Sequence, residues 1–137
     1  MTRIAVVMGL WSVVSGCAWR GDTKFVATFT RLPPGPSGTQ TDTWGVDLAT
    51  KQFTFDYGRP KTLTEAQVSG LEASLDALKP ASRESCTEDG DVRVIELEDG
   101  QTRYAEQQYA CPGNAQGTYL YVESLERVFA QLRDLLQ

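Results

Sequence analysis

Two periods of apolar recurrence run along this chain, and they lay out its elements. Phe25, Ala27 and Phe29 alternate with Val26, Thr28 and Thr30, a period of two that predicts a strand ending at Arg31-Leu32. Pro33 to Gly38 breaks it, because three prolines and two glycines in six residues cannot sit inside a sheet. Thr41 to Leu48 and Phe53 to Tyr57 predict the next two strands, joined by Ala49 to Gln52. Setting Leu48 opposite Phe53 brings Val46 to Phe55 and Trp44 to Tyr57, which collects three apolar pairs on one face. Such an aromatic row reads as core packing before it reads as a ligand platform.

Helical spacing appears twice. Thr64 and Gln67 form a capping box, Leu63 and Val68 can staple it, and Val68, Leu71, Leu75 and Leu78 line one face up to Pro80. Leu125, Val128, Phe129, Leu132, Leu135 and Leu136 define a second amphipathic helix. Between them Asp91 to Glu98 and Gln101 to Tyr109 flank Asp99-Gly100, a dipeptide suited to a two-residue hairpin turn. In that register Glu96 faces Arg103, Arg93 faces Glu106 and Ile95 faces Tyr104. The predicted order is β-β-β-α-β-β-α, an α+β domain with an antiparallel sheet of about five strands covered by two helices.

The first residues obey neither period. Met1-Thr2-Arg3 precedes the apolar run Ile4 to Val14, too short for the roughly 20 residues of a spanning helix and of the right length for a secretory leader. The run ends in Val14-Ser15-Gly16-Cys17, which resembles the lipobox of bacterial lipoproteins. That resemblance implies a signal peptide over 1–16, a diacylglyceryl group on the Cys17 thiol, and membrane anchoring through acyl chains such as palmitate. Ala18 stands where an aspartate would resemble an inner-membrane retention signal, so the resemblance points to the outer membrane and the periplasm. Residues 17–24 then read as anchor and tether, reaching at most about 25 Å when extended, and 25–137 as one domain. Trp19 in that tether could sit at the lipid interface, although a single tryptophan is more often a partly packed side chain.

Composition narrows the partners. Removing the leader costs only Arg3, leaving 12 basic against 18 acidic side chains and a net charge of −6. The acids are dispersed and no basic stripe stands out, which argues against nucleic acid. The chain has no histidine, which removes the Ser-His and Cys-His nucleophile systems and the commonest zinc ligand. It also lacks CxxC spacing, a nucleophile elbow, a phosphate-cradling loop and a dinucleotide fingerprint. Glu88-Asp89-Gly90-Asp91 gathers oxygen ligands without the alternating spacing of a calcium loop, so it reads as an acidic turn. No catalytic residue, metal or cofactor is expected. A non-catalytic binding module of the cell envelope is the leading reading, with a carboxylate-dependent hydrolase behind it.

The succession of Val46-Asp47 in an early strand, Leu63-Thr64 opening a leucine-rich helix, Asp99-Gly100 between two strands and an amphipathic terminal helix resembles the emfourin group. Those small proteins inhibit thermolysin-like metalloproteases. The resemblance, one of spacing over most of Phe25 to Gln137, implies a tethered protease inhibitor as an alternative. It assigns no individual residue.

Cysteine parity generates the first prediction. With Cys17 acylated, Cys86 and Cys111 remain, and extending the hairpin register brings both to its open mouth. An exported domain of this size gains from such a bond, by roughly 3 kcal/mol for a loop of that length. Mass spectrometry after alkylation of the unfolded, unreduced protein is expected to find both thiols blocked. Alkylation at both positions would exclude the bond.

Overall fold

The computed structural model describes residues 18–31, 40–81, 92–106 and 118–137. The leader, Cys17, the Pro33–Gly38 loop, the Glu88–Asp91 turn and both Cys86 and Cys111 lie outside them, as does the predicted end of the hairpin at Tyr109. Strands β1 (Lys24–Arg31), β2 (Gln40–Asp47), β3 (Gln52–Phe55) and β4 (Lys61–Thr62) precede helix α1 (Glu65–Asp76). Strands β5 (Lys79–Pro80), β6 (Val92–Leu97), β7 (Thr102–Glu106) and β8 (Thr118–Glu123) precede helix α2 (Leu125–Asp134). The fold is α+β, with one eight-stranded sheet in the order β4-β3-β2-β1-β6-β7-β8-β5.

β1 is central because it alternates cleanly and pairs antiparallel on both sides. Phe25 and Ala27 lie opposite Val46 and Trp44 of β2, and opposite Leu97 and Ile95 of β6. Side chains of paired residues share a face, so these residues form one apolar layer, on which Val68, Leu71 and Leu75 of α1 and Val128, Phe129 and Leu132 of α2 are buried. Phe129 meets Trp44 edge-on with ring centroids 6.0 Å apart. Both ends of the sheet are blunted, each by a two-residue strand, one preceded by Pro60 and the other containing Pro80.

Local chemistry explains the ends of the elements. Thr64 Oγ1 accepts from the Gln67 amide at 3.1 Å while the Thr64 amide donates to Gln67 Oε1 at 2.8 Å, the reciprocal box read from sequence. α1 stops at Asp76, short of Pro80, because Leu78 is fully buried and the following residues leave to pair with β8. The β6–β7 register is as expected, Glu96 lying opposite Arg103 and Ile95 opposite Tyr104. Its turn is longer than two residues. The strands stop at Leu97 and Thr102, Asp99 Oδ1 accepts from the Gln101 and Thr102 amides at 2.8 Å, and Gly100 alone takes a positive φ of 71°.

Three expectations are corrected. The β2–β3 register differs by two residues: Val46 faces Phe53 and Trp44 faces Phe55, while Tyr57 is 89% exposed. The cause is Asp47, whose Oδ1 accepts from the Ala49 and Thr50 amides at 3.0 and 3.1 Å and closes the turn early, with Lys51 at φ 58°. The sheet has eight strands where about five were expected, and it is not wholly antiparallel. β8 runs parallel to β7, with Thr102 opposite Thr118 and Glu106 opposite Val122. Finally, the run read as a tether is packed onto the domain at Ala18 and Trp19, while Arg20, Gly21, Thr23 and Lys24 are exposed. Trp19 is 9% exposed, set edge-on to Phe25 at 5.6 Å and against Tyr104 at 5.3 Å.

Burial of Trp19 makes that run part of the fold. Trp19→Ala is expected to destabilise the domain by about 3 kcal/mol, the lower end for removing a buried tryptophan. Chemical denaturation of the two proteins measures it, and an unchanged midpoint would mean that the run contributes nothing.

Candidate functional site

The residues assigned roles from sequence, Cys17 for lipidation and Cys86 with Cys111 for a disulfide, all lie outside the described residues. Of the predicted aromatic row, Trp44 is fully buried and Phe55 packs on it at 5.2 Å, while Tyr57 is exposed. Other positions define the surfaces on which a partner could act.

The sheet face turned away from the helices is built in rows. One row crosses six strands as Thr54, Gly45, Val26, Glu96, Arg103 and Tyr119. At one end Arg103 Nε donates to Glu96 Oε2 at 2.7 Å, and the guanidinium lies 5.7 Å from the Tyr119 ring centroid, making a polar wall. At the other end Gly45 leaves a notch. A Cβ on Gly45 would stand 2.8 Å from Thr54 Oγ1, closer than real Cβ atoms approach, so a side chain there would have to displace the Thr54 hydroxyl. Val26 beside it is 42% exposed.

The result is a groove of ≈ 430 Å³ whose lining includes Val26, Gly45, Thr54 and Pro60, with Lys24, Asp47, Glu96 and Glu98 as its charged residues. That volume lies within the usual range of binding pockets, about 300 to 1,000 Å³. Three carboxylates against one lysine give the groove an acidic balance. Lys24 lies 3.7 Å from Glu98 and also acts electrostatically on Asp47 opposite it, and Arg103 pairs with Glu96, so one lysine is shared between two of the carboxylates. The Thr50 amide hydrogen bond, aided by that of Ala49, holds the pKa of Asp47 below the usual carboxylate range and keeps it ionised. A basic group is the complementary partner.

A second charged locale lies on the helix side of the sheet. The guanidinium carbons of Arg31, Arg93 and Arg133 stand 5.2, 4.9 and 5.7 Å from the centroid of the Phe29 ring. Arg31 is neutralised by Asp42 at 3.0 Å, and Glu106 acts electrostatically on Arg93. Glu106 also does the work of an N-cap. Ser124 before α2 has φ 69° and offers no side-chain hydrogen bond, while the Leu125 and Glu126 amides donate to the Glu106 carboxylate. Glu106 is 8% exposed, and its Oε2 has no hydrogen-bond partner among the described residues.

Sequence reasoning placed Arg93 opposite Glu106 without seeing that both lie on the buried face, although the alternation with Ile95 and Tyr104 already implies it. It passed over Gly45, whose signal was a glycine inside a strand pattern. Comparison of the chain with protein-family models, with curated proteins and with solved structures finds no match.

The Glu106 environment gives a signed pH dependence. Burial raises its pKa above the ordinary value, against the opposing pull of the Leu125 amide and Arg93. The folded state therefore holds the proton more tightly than the unfolded chain. This contribution is complete below the unfolded pKa near 4 and is lost as pH rises through the folded pKa. Glu106→Gln keeps an acceptor for the α2 amides and cannot ionise. Thermal melts of both proteins from acid to neutral pH should show the wild type losing stability relative to the glutamine variant as pH increases. The opposite trend would contradict the assignment.

Proposed function

We propose that this chain is a lipid-anchored protein of the cell envelope whose domain is a non-catalytic binding module, with the acidic groove around Gly45 as its docking surface. The groove carries the proposal. It combines the half-exposed Val26, a glycine beside it in place of a side chain, and three carboxylates against one lysine. A fitting occupant is a protein segment that sets an apolar side chain over Gly45 and Val26 and a basic one toward Asp47.

The lipobox-like Val14-Ser15-Gly16-Cys17 supports anchoring through Cys17, and Ala18 after it supports the outer membrane, facing the periplasm. Two acyl chains or more hold a protein on a bilayer where a single chain gives only reversible binding. No helix among the described residues is long and apolar enough to cross a membrane.

Two measurements test the reading. Growth with a fatty-acid analogue is expected to label the wild type and not Cys17→Ser, which should remain as unlipidated precursor; an unlabelled wild type removes the anchor. A photocrosslinking residue at Val26 is expected to give a discrete protein adduct in intact cells, and the same residue at the more exposed Tyr57 none. Glu98→Lys, which breaks only an exposed ion pair worth at most about 1 kcal/mol, should weaken the adduct and leave the fold intact. Equal crosslinking at the two positions, or none at Val26, would dismiss the groove as a docking surface.

A further inference from the structure

We infer that the domain is mounted on its membrane without slack, helix side toward the bilayer and open sheet face away from it. The inference rests on the proposed acylation of Cys17 and adds what the anchor does to the orientation of the domain.

Three consecutive residues after Cys17 are fixed by separate contacts. The Ala18 amide donates to the Leu78 carbonyl at 3.1 Å, just beyond the end of α1, and the Tyr104 hydroxyl donates to the Ala18 carbonyl at 2.9 Å. Trp19 is buried between Phe25 and Tyr104. Arg20 Nη1 reaches Asp99 Oδ2 at 2.7 Å and Thr102 Oγ1 at 2.6 Å in the β6–β7 turn. Consecutive Cα atoms are about 3.8 Å apart, so an acylated Cys17 has one residue of reach instead of the eight that a free 17–24 would supply.

The side of exit follows from the side on which these partners lie. Phe25 and Tyr104 point into the layer shared with the leucines of α1 and α2, and Leu78 belongs to the same core. Ala18 is therefore held on the helix side of the sheet, next to the end of α1. Val26, Gly45, Thr54 and Glu96 occupy the opposite face of the same sheet. Acyl chains entering the bilayer one residue before Ala18 draw the helix side onto the lipid surface and leave the groove open to a partner approaching from the aqueous side.

The test uses the full acylated chain on phospholipid vesicles containing a headgroup spin-labelled lipid. A fluorescent non-canonical residue is placed at Ala73, exposed on the outer side of α1, or at Val26 on the open face. The Ala73 probe is expected to be quenched and the Val26 probe spared. A long Gly-Ser linker between Cys17 and Ala18 should abolish the difference while acylation and vesicle binding persist. Equal quenching at the two positions in the acylated chain without the linker would overturn the mount and leave the anchor standing. A chain that takes up no fatty acid overturns the anchor itself, and the mount with it.

Discussion

The antiparallel pairing of β1 with β6 is the constraint on which the rest of this domain depends. It joins the N-terminal hairpin to the C-terminal half of the chain, and it does so in a register that sends Phe25, Ala27, Ile95 and Leu97 to one side. A shift of one residue would carry those side chains to the opposite face. Both helices must then lie on that side, because their apolar faces have nowhere else to be buried. The other face inherits what remains of the alternation: Lys24, Thr28 and Thr30, with Val26 among them, and the notch of Gly45. The groove is thus a consequence of the same parity that builds the core.

What was legible in the sequence was local. The capping box at Thr64, the hairpin register around Asp99 and the α2 stripe from Leu125 to Leu132 each rest on residues close in the chain, and each is found where the pattern puts it, whereas Leu136 lies past the helix and is exposed. β8 was not legible because its partner β7 runs parallel, and a parallel pair has no turn signal between its strands to mark it. The aromatic and aliphatic run Tyr119 to Val122 was present, but nothing nearby said what it would pair with. The β2–β3 register was misread by two positions because apolar matching alone allows either pairing on the same face. The Asp47 carboxylate, by closing its own turn, selects one of them.

The candidate surfaces were harder to see for a related reason. Gly45 matters only once Thr54 is known to be its neighbour across the strand, and Glu106 caps a helix that begins nineteen residues later in the chain. Both are non-local facts. Trp19 escaped as well, since a lone tryptophan in a polar run has no period to betray its burial.

The relative size of the contacts decides what fixes the residues after Cys17. The Arg20–Asp99 pair is short but half-exposed on the arginine side, and such exposed pairs contribute little because water screens them. Asp99 would stay ionised without it, because the Thr102 backbone and hydroxyl and the Gln101 amide already hold its pKa well below the usual range. Trp19 stabilises the run far more. Burying a tryptophan side chain of roughly 150 to 250 Å² at about 25 cal/mol per Å² contributes on the order of 4 to 6 kcal/mol. Arg20 therefore fixes direction and Trp19 supplies the holding energy, and the Tyr104 hydroxyl, satisfied by Ala18, ties that energy to the residue directly after Cys17. Loss of Arg20 should leave the run docked, whereas loss of Trp19 releases it and restores the reach that the sequence alone suggested.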